Sequence, residues 1–502
     1  MMAGDGARPM AARSGTSLAG HRSTRLSHSL SGTNSQRTGD YNQRTVLNAI
    51  RRAGETTRTK LAAQTGLSTP TVVGIVSRLI ELGLVVPLDK IRGRRGQPAK
   101  RMGVAADGAY GIGLNIDRDH LTLVMVDLAG DVRWRRTVEV AFALPDQVVA
   151  FADEAVAAAL AETGIDPARV LGIGVAVPND LGRIKLPNQP ADYDGWDRAD
   201  LSALFATYGW PVYVDNDAAA AAMGEAQSEV AFEEASFFYL LVSAGLGGGL
   251  VIDRTFYRGA TGRSGEIGLM PDDGNGGPAV QDVVSISALL DRLEAAGLPR
   301  DIDGASANEH AGTTRVIDMW IDDAIRTLTA PLIAVTCLMN PAAVVIGGRL
   351  PQRLIERLAI GLGAAIDRAD LPFSPIVRPA AMADHAPALG AAIIPFLDRL
   401  LPSDSILIKP DDTGQPASEP APIGAPSLRA TRATSSSVGG VGSSSPGRSA
   451  SSGIPGAVLP IGSSMARSFA PSVIFSRAGM DASSSSDRTG PTSVIADWRR
   501  GT

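Results

Sequence analysis

Apolar and polar residues alternate with two different periods along this chain, and the changes of period divide it into segments. Between Thr59 and Val86, apolar positions recur every three or four residues, which predicts two helices joined by a turn at Gly66. Ser68 is placed to cap the second helix, Pro70 falls in its first turn, and Gly83 ends it. The predicted buried stripe of this second helix consists of Val72, Ile75, Val76, Leu79 and Ile80.

The helix pair has two interpretations, a helix-turn-helix whose second helix enters the DNA major groove and an ordinary helical hairpin. A helix over Gln43 to Ala53 precedes the pair and a short β-hairpin follows it, an order that predicts a winged helix. On the second helix, the candidate DNA contacts are Ser68, Thr69, Thr71, Ser77 and Arg78. On the hairpin they are Arg92, Arg94, Arg95 and Lys100, because arginine is attracted to the negative potential of a narrow minor groove.

The longer region from Ala105 to Leu401 has a pattern of three strands followed by alternating helix and strand, and this pattern occurs twice. It predicts an α/β fold of two related lobes with a cleft between them. The predicted strands are 110–116, 121–127, 132–140, 170–177, 212–214, 237–243, 249–252, 255–257, 342–346 and 376–379. The predicted helices are 147–161, 218–226, 285–296, 315–339, 354–367 and 387–400.

The two ends of the chain are rich in Ser, Gly, Pro and Arg and have almost no apolar periodicity. We therefore expect disordered tails over 1–40 and 402–502, a winged-helix domain over 41–104, and the two-lobed domain over 105–401. Charge supports this division. Residues 41–104 hold twelve Lys and Arg against three acidic residues, a net +9 in a chain of net −5, which is the electrostatic footprint expected of a duplex-binding segment.

Composition excludes several other classes of protein. The single cysteine, Cys337, cannot build a disulfide framework or a thiolate metal site, and the five histidines lack metal-ligand spacing. The first residues have no apolar signal-peptide core, and no apolar run reaches the length of about 18 residues that a membrane span needs. We expect a cytoplasmic, soluble protein without a metal or cofactor.

Four short motifs carry a resemblance to a known family. They are Leu186–Asn188 (LPN), Val214–Ala218 (VDNDA), Ser243–Gly249 (SAGLGGG) and Gly265–Leu269 (GEIGL). In this order they resemble the sugar loop, the catalytic segment, the glycine-rich phosphate turn and the Glu motif of ROK proteins, a family of repressors and sugar kinases. With the winged-helix pattern in front, the chain resembles the ROK transcriptional regulators over roughly 41–401.

The resemblance implies an actin/hexokinase-like fold and a sugar site formed by Asn188, Asn216, Asp217 and Glu266. In the family's kinases the residue matching Asp217 takes the proton from the sugar hydroxyl. A second interpretation is that Asn216 and Asp217 only cap the helix that begins at Ala218, a position that both residue types favour.

Two departures from the family's pattern argue against catalysis and against zinc. The kinases' first phosphate loop reads D-x-G-G-T, whereas this chain has Asn115–Asp119 (NIDRD), which lacks both glycines and adds two acids. Ala244 stands where kinases place a threonine. The family's cysteine cluster is replaced by Pro271–Ala279 without cysteine, and Leu269 stands at the histidine position, so the resemblance implies no zinc site.

We therefore expect a DNA-binding regulator, a repressor of carbohydrate-related genes, with Asp217 a vestigial base rather than an active one. Its expected partners are an operator in double-stranded DNA, a carbohydrate effector and a second copy of the chain, as a homodimer or a dimer of dimers. Two alternatives stay open at this point. One is a sugar kinase with a DNA-binding appendage, and the other is a DNA-binding regulator whose cleft binds no ligand.

Overall fold

The computed structural model describes residues 35–90, 100–179, 181–182, 189–228, 234–272, 277–307, 311–382 and 385–402. Residues 1–34 and 403–502, which make up most of the two predicted tails, lie outside the described ranges. The same holds for the predicted wing tip at 91–99 and for the LPN motif at 186–188. The predicted tails and the predicted domain boundaries therefore stay predictions.

The N-terminal part is a winged helix, as the order of elements predicted. Three helices surround a three-stranded antiparallel sheet in the order β1-β3-β2. The elements are α1 (Ser35–Ala53), β1 (Glu55–Thr57), α2 (Arg58–Thr65), α3 (Thr69–Glu81), β2 (Val85–Lys90) and β3 (Lys100–Val104).

Local chemistry fixes the ends of these helices. The Thr57 hydroxyl accepts a hydrogen bond from the Lys60 backbone N–H at the start of α2, which Gly66 ends with a φ of 70°. The Ser68 hydroxyl accepts from the Thr71 N–H, 3.3 Å away, at the start of α3. On the predicted stripe of α3, Val72, Val76 and Leu79 are buried, while Ile75 and Ile80 are half-buried.

Two features of this domain differ from the sequence prediction. Helix α1 begins at Ser35 rather than near Gln43, because its first two turns are polar and carry no apolar spacing that would mark them. Strand β1 was not predicted. It has only three residues, too few to show alternation, and it forms through its pairing with β3.

The first lobe of the larger region is a five-stranded sheet in the order β6-β5-β4-β7-β8. Strands β4, β5 and β6 are antiparallel, whereas β7 and β8 run parallel to β4. Its elements are β4 (Tyr110–Ile116), β5 (His120–Asp127), β6 (Val132–Glu139), α4 (Pro145–Thr163), β7 (Val170–Val177), α5 (Leu201–Leu204) and β8 (Val212–Asn216).

The second lobe repeats the order of the first with β11-β10-β9-β12-β13, which confirms that the two halves are related. Its strands are β9 (Phe237–Val242), β10 (Leu246–Ile252), β11 (Thr255–Phe256), β12 (Ala343–Gly348) and β13 (Ile376–Pro379). The helices that follow β8 along the chain are α6 (Asp217–Glu225), α7 (Val280–Val283), α8 (Ile286–Ala295), α9 (Ile302–Ala307), α10 (Ala311–Met339), α11 (Gln352–Asp367) and α12 (Ala386–Arg399).

Helices α6 and α12 lie between the two sheets and cross each other closely. Helix α12 packs on the first sheet, where a Cβ on Gly113 would stand 1.9 Å from the Ala388 carbonyl oxygen. At the crossing, a Cβ on Gly390 would stand 1.7 Å from the carbonyl oxygen of Ala220 on α6. Only glycine allows this approach, so the spacing of the lobes depends on residues without side chains.

The end of α12 also completes the core of the winged helix. Phe396, Leu400 and Leu401 share one apolar cluster with Val46 and Leu47 of α1. The winged helix and the lobes are thus continuous in their packing. Within the described ranges, no helix is long and apolar enough to cross a membrane.

Candidate functional site

The predicted DNA-contacting residues of α3 lie together on its solvent face. Ser68, Thr69, Thr71, Ser77 and Arg78 are all exposed. Lys100, at the start of β3, is exposed as well, whereas the predicted wing residues Arg92, Arg94 and Arg95 lie outside the described ranges. The described part of the predicted interface therefore consists of the exposed face of α3 and Lys100 of β3.

Several of these side chains already have partners inside the domain. The Ser68 hydroxyl caps α3 and lies 2.8 Å from the Thr71 hydroxyl, so it acts first as a helix cap. Arg78 pairs with Glu81 at 3.3 Å, but both side chains are exposed, and such a pair is weak enough to exchange for a phosphate or a base.

A cleft of about 500 Å³ opens between the two lobes and holds the other set of predicted residues. Asn216, Asp217 and Glu266 all line it, whereas Asn188 lies outside the described ranges. The polar side chains of the cleft come from both lobes and are those of Asp117, Arg118, Asn179, Asn216, Asp217, Ser243, Arg263, Glu266 and Gln281.

Asn216 and Asp217 stand where β8 ends and α6 begins, at the inner end of the cleft. The Asn216 side-chain oxygen accepts from the Ala219 N–H at 3.0 Å, and its amide donates to Asp217 Oδ1 at 2.9 Å. The helix-cap interpretation of Asn216 therefore holds, and the cap is part of the cleft wall. Burial, followed by the nearby charge of Asp117, raises the pKa of Asp217 to about 7 despite its hydrogen bond from the Ala218 N–H.

Glu266 lies across the cleft and is held by two donors. Asn179 Nδ2 donates to Glu266 Oε1 at 2.6 Å, and Arg263 Nε donates to the same oxygen at 3.2 Å. Sequence reasoning missed Asn179, although one signal for it existed. It follows the buried strand β7 at its carboxyl end, beside the end of β8, where parallel strands place their functional residues.

The predicted degenerate phosphate loop is the tight turn between β4 and β5. Asp117 is 4% exposed, faces the cleft and accepts from the Arg118 N–H at 2.7 Å. The Arg118 guanidinium extends toward Gly245 in the glycine-rich turn of the other lobe. This edge of the cleft thus presents a carboxylate and a guanidinium.

A second cavity of about 290 Å³ lies behind this turn, and Arg349 of the second lobe is one of the residues that line it. Arg349 donates to Glu139 at 2.6 Å and to Asp119 at 3.3 Å, and it lies 3.1 Å from His120 Nδ1. Burial disfavours the charged form of Asp119, but its contacts with His120 and Arg349 outweigh this effect and lower its pKa. An ion-paired bridge therefore joins the lobes at this edge.

Sequence reasoning also overlooked that Asp117, Asp119 and His120 each place one potential ligand atom within 4.8 Å of the others. The Arg349 guanidinium already lies against two of these three groups and supplies a positive charge there. Residues 273–276, in the segment that replaces the family's cysteine cluster, lie outside the described ranges.

The sequence profile of the ROK family matches residues 111–395, more than half of the chain. The chain belongs to the ROK family. A MarR family profile matches residues 40–96, which include most of the described winged helix in front of the ROK region.

Individual relatives cover different shares of the chain. An uncharacterized protein of Sinorhizobium fredii, y4fQ, is 32% identical over 370 residues, which are 71% of this chain and 90% of that protein. The xylose repressor of Bacillus subtilis is 26% identical over 240 residues, which are 47% of this chain and 61% of the repressor. A solved ROK family transcriptional regulator, a homolog of the E. coli MLC protein, matches with a TM-score of 0.54. It is 22% identical and covers 72% of this chain and 96% of its own, which shows a shared fold.

Proposed function

We propose that this ROK protein is a DNA-binding transcriptional repressor of carbohydrate-related genes that acts in the cytoplasm. The observation that carries the proposal is the winged helix in front of the ROK region, with an exposed α3 face and a net charge of +9 over 41–104. The xylose repressor among its relatives supports the same function. The exposed face of α3 carries small and polar side chains, which allow the helix to enter a major groove.

A gel-shift titration tests DNA binding. The probe is the DNA upstream of the protein's own gene, and a shuffled fragment of equal length serves as the control. We expect a preference of about a thousandfold or more for the upstream fragment, with affinity that falls steeply between about 50 and 200 mM salt. Equal affinity for both fragments would refute the proposal.

We further propose that the cleft binds a sugar or a sugar derivative as the effector. Amide and carboxylate groups from both lobes, among them Asn179, Asn216, Asp217 and Glu266, suit the hydroxyls of a polyol and leave few buried charges without partners. A ligand that contacts both lobes binds best at one lobe spacing, so it shifts the population of conformations.

A thermal-shift screen with D-xylose, D-glucose, N-acetyl-D-glucosamine and D-glucose 6-phosphate tests effector binding. We expect at least one of them to raise the melting temperature of the wild type and to lose this effect in the Glu266→Ala variant. Glu356→Ala, which removes an exposed carboxylate from α11, is the matched control and should keep the effect. Stabilisation that survives Glu266→Ala would place the ligand elsewhere.

A second candidate function, sugar phosphorylation, is favoured by one observation. Asp217 lies in the cleft at the start of α6 with a pKa of about 7, which suits a general base. Against it, the turn where a polyphosphate would lie lacks the two glycines of the kinases and holds Asp117 and Asp119, whose carboxylates oppose a phosphate. We therefore propose that the protein is not a kinase. ADP release with any of these sugars, abolished by Asp217→Asn, would overturn this.

Binding to a palindromic operator requires two winged helices, so we propose a homodimer as the DNA-binding unit. Sedimentation of the protein with and without the upstream fragment tests this stoichiometry. One chain per fragment at saturation would contradict it.

A further inference from the structure

Helix α6 connects the cleft to the winged helix. Its first residue, Asp217, lines the cleft, and every residue from Asp217 to Glu225 is buried. Two residues beyond its end lies Gln227, whose backbone N–H still bonds the Gly224 carbonyl. The Gln227 side chain is half-buried and lies at the surface of the winged helix.

One arginine of the winged helix contacts both this segment and the first lobe. Arg51, in the last turn of α1, donates from Nε to the Leu128 carbonyl at 2.9 Å. It donates from a terminal nitrogen to Gln227 Oε1 at 3.2 Å. Leu128 directly follows β5 of the first sheet, so one rigid guanidinium joins the first lobe to the end of α6.

The C-terminal end of helix α6 is attached to the second lobe. Glu225 accepts from Arg378 of β13 at 2.9 Å and from the Ala381 N–H at 3.1 Å, which fixes the helix end to the second sheet. A change in lobe spacing therefore moves Gln227 relative to Leu128. A displacement of roughly 0.5 Å takes the 3.2 Å contact beyond hydrogen-bond distance.

We propose that Arg51 is a positioning residue that transmits a change in the cleft through α6 to the orientation of the winged helix. This inference rests on the proposed function and identifies the route of its regulation. Arg51 holds its domain against both lobes only at one position of α6. When α6 moves, the guanidinium keeps its hydrogen bond to Leu128 or to Gln227 but not both. Helix α1 is then held less firmly against the lobes.

The packing of α1 supplies an internal reference. Arg44, two turns earlier on α1, donates to the Asp398 backbone carbonyl of α12, which lies on the first sheet. This contact does not involve α6. The amides around Arg51 should therefore respond to the cleft more than those around Arg44.

Hydrogen–deuterium exchange of the full chain at pH 8 tests the inference without a known ligand. Asp217→Asn changes the charge at the cleft end of α6, and Asp367→Asn, the same change at an exposed position at the end of α11, is the matched control. We expect Asp217→Asn to change the exchange rates of residues 49–53 about two- to fivefold, the size typical of a charge at a helix end. Asp367→Asn should leave these rates unchanged.

The same change is then made in backgrounds that alter the Arg51 contact. In Gln227→Ala and in Arg51→Lys, whose ammonium lacks the fork needed for two acceptors, Asp217→Asn should no longer change exchange in residues 49–53. Gln227→Glu keeps an acceptor and should restore the response. Thermal unfolding of each variant confirms that it is folded.

Three results would overturn the inference: no response to Asp217→Asn in the wild-type background, an equal response in Gln227→Ala, or an equal response to Asp367→Asn. The gel shift decides the proposed function separately. A protein that lacks DNA preference but shows the exchange pattern retains the α6 route and loses the repressor assignment. A protein that shows DNA preference but lacks the exchange pattern retains the repressor assignment and excludes Arg51 from its regulation.

Discussion

Asp217→Asn should stabilise the protein, and by an amount that depends on pH. Asp217 is 8% exposed, and burial together with the charge of Asp117 raises its pKa to about 7. An asparagine has the same shape and no charge, so it resembles the protonated side chain at every pH. The variant therefore removes the cost of ionising this buried group.

The magnitude follows from the shift in pKa. The pKa of Asp217 rises from an ordinary value of 3.8 to about 7. At about 1.36 kcal/mol per pKa unit, this shift corresponds to a free energy of about 4 kcal/mol at most. Between about pH 4 and 7 the folded state holds a proton that the unfolded chain has released, so wild-type stability falls as the pH rises through this window. Above about pH 7 both states are ionised and the full cost remains.

Thermal unfolding of the wild type and the variant from about pH 4 to pH 8 measures this difference. We expect similar melting temperatures near pH 4 and a gap that widens to about 6 °C at pH 8, for a cooperative unit of about 300 residues. Asp367→Asn, which neutralises an exposed carboxylate at the end of α11, is the control and should show no widening. A gap that is constant or narrows with pH would refute the reasoning about burial.

Three further changes test the wing, a helix cap and the helix crossing. Arg94→Ala should weaken DNA binding more than Thr71→Ala and flatten its salt dependence, and equal slopes in a salt titration would contradict this assignment of phosphate contacts. Ser68→Ala should lower the free energy of unfolding by about 1 kcal/mol in urea titration, since it removes the cap of α3. Gly390→Ala should cost about 3 kcal/mol or more by forcing α6 and α12 apart, whereas Gly312→Ala, with open space around it, should not destabilise.

The long apolar elements of the fold could be predicted from the sequence. The bounds of β4 and β7 were predicted without error, because each strand is set off by turn residues and by a change of period. Besides the start of α1, the misses were β1 and the short helices such as α7, which has only four residues. Elements of that length gain their stability from neighbours that are distant in sequence, and periodicity within them is too brief to detect.

The site was predicted less completely than the fold. Asp217 and Glu266 were expected to share a cleft, and the structure places both in one. Asn179 and Arg349 were missed because their partners are distant in sequence. Asn179 contacts Glu266 about 90 residues away, and Arg349 contacts Glu139 about 210 residues away. Motif spacing identifies residues that resemble a family, whereas side chains that bridge lobes are visible only in space.

The late position of α12 in the sequence affects how the protein folds during its synthesis. The winged helix is synthesised first, but part of its apolar core, including Phe396 and Leu400, comes from a helix near residue 400. At about 5–20 residues per second, the ribosome needs about 15–60 s to reach that helix after the winged helix has emerged. During this interval a nascent chain exposes the apolar surface that α12 will cover, so the DNA-binding part reaches its complete core only once the body has been translated.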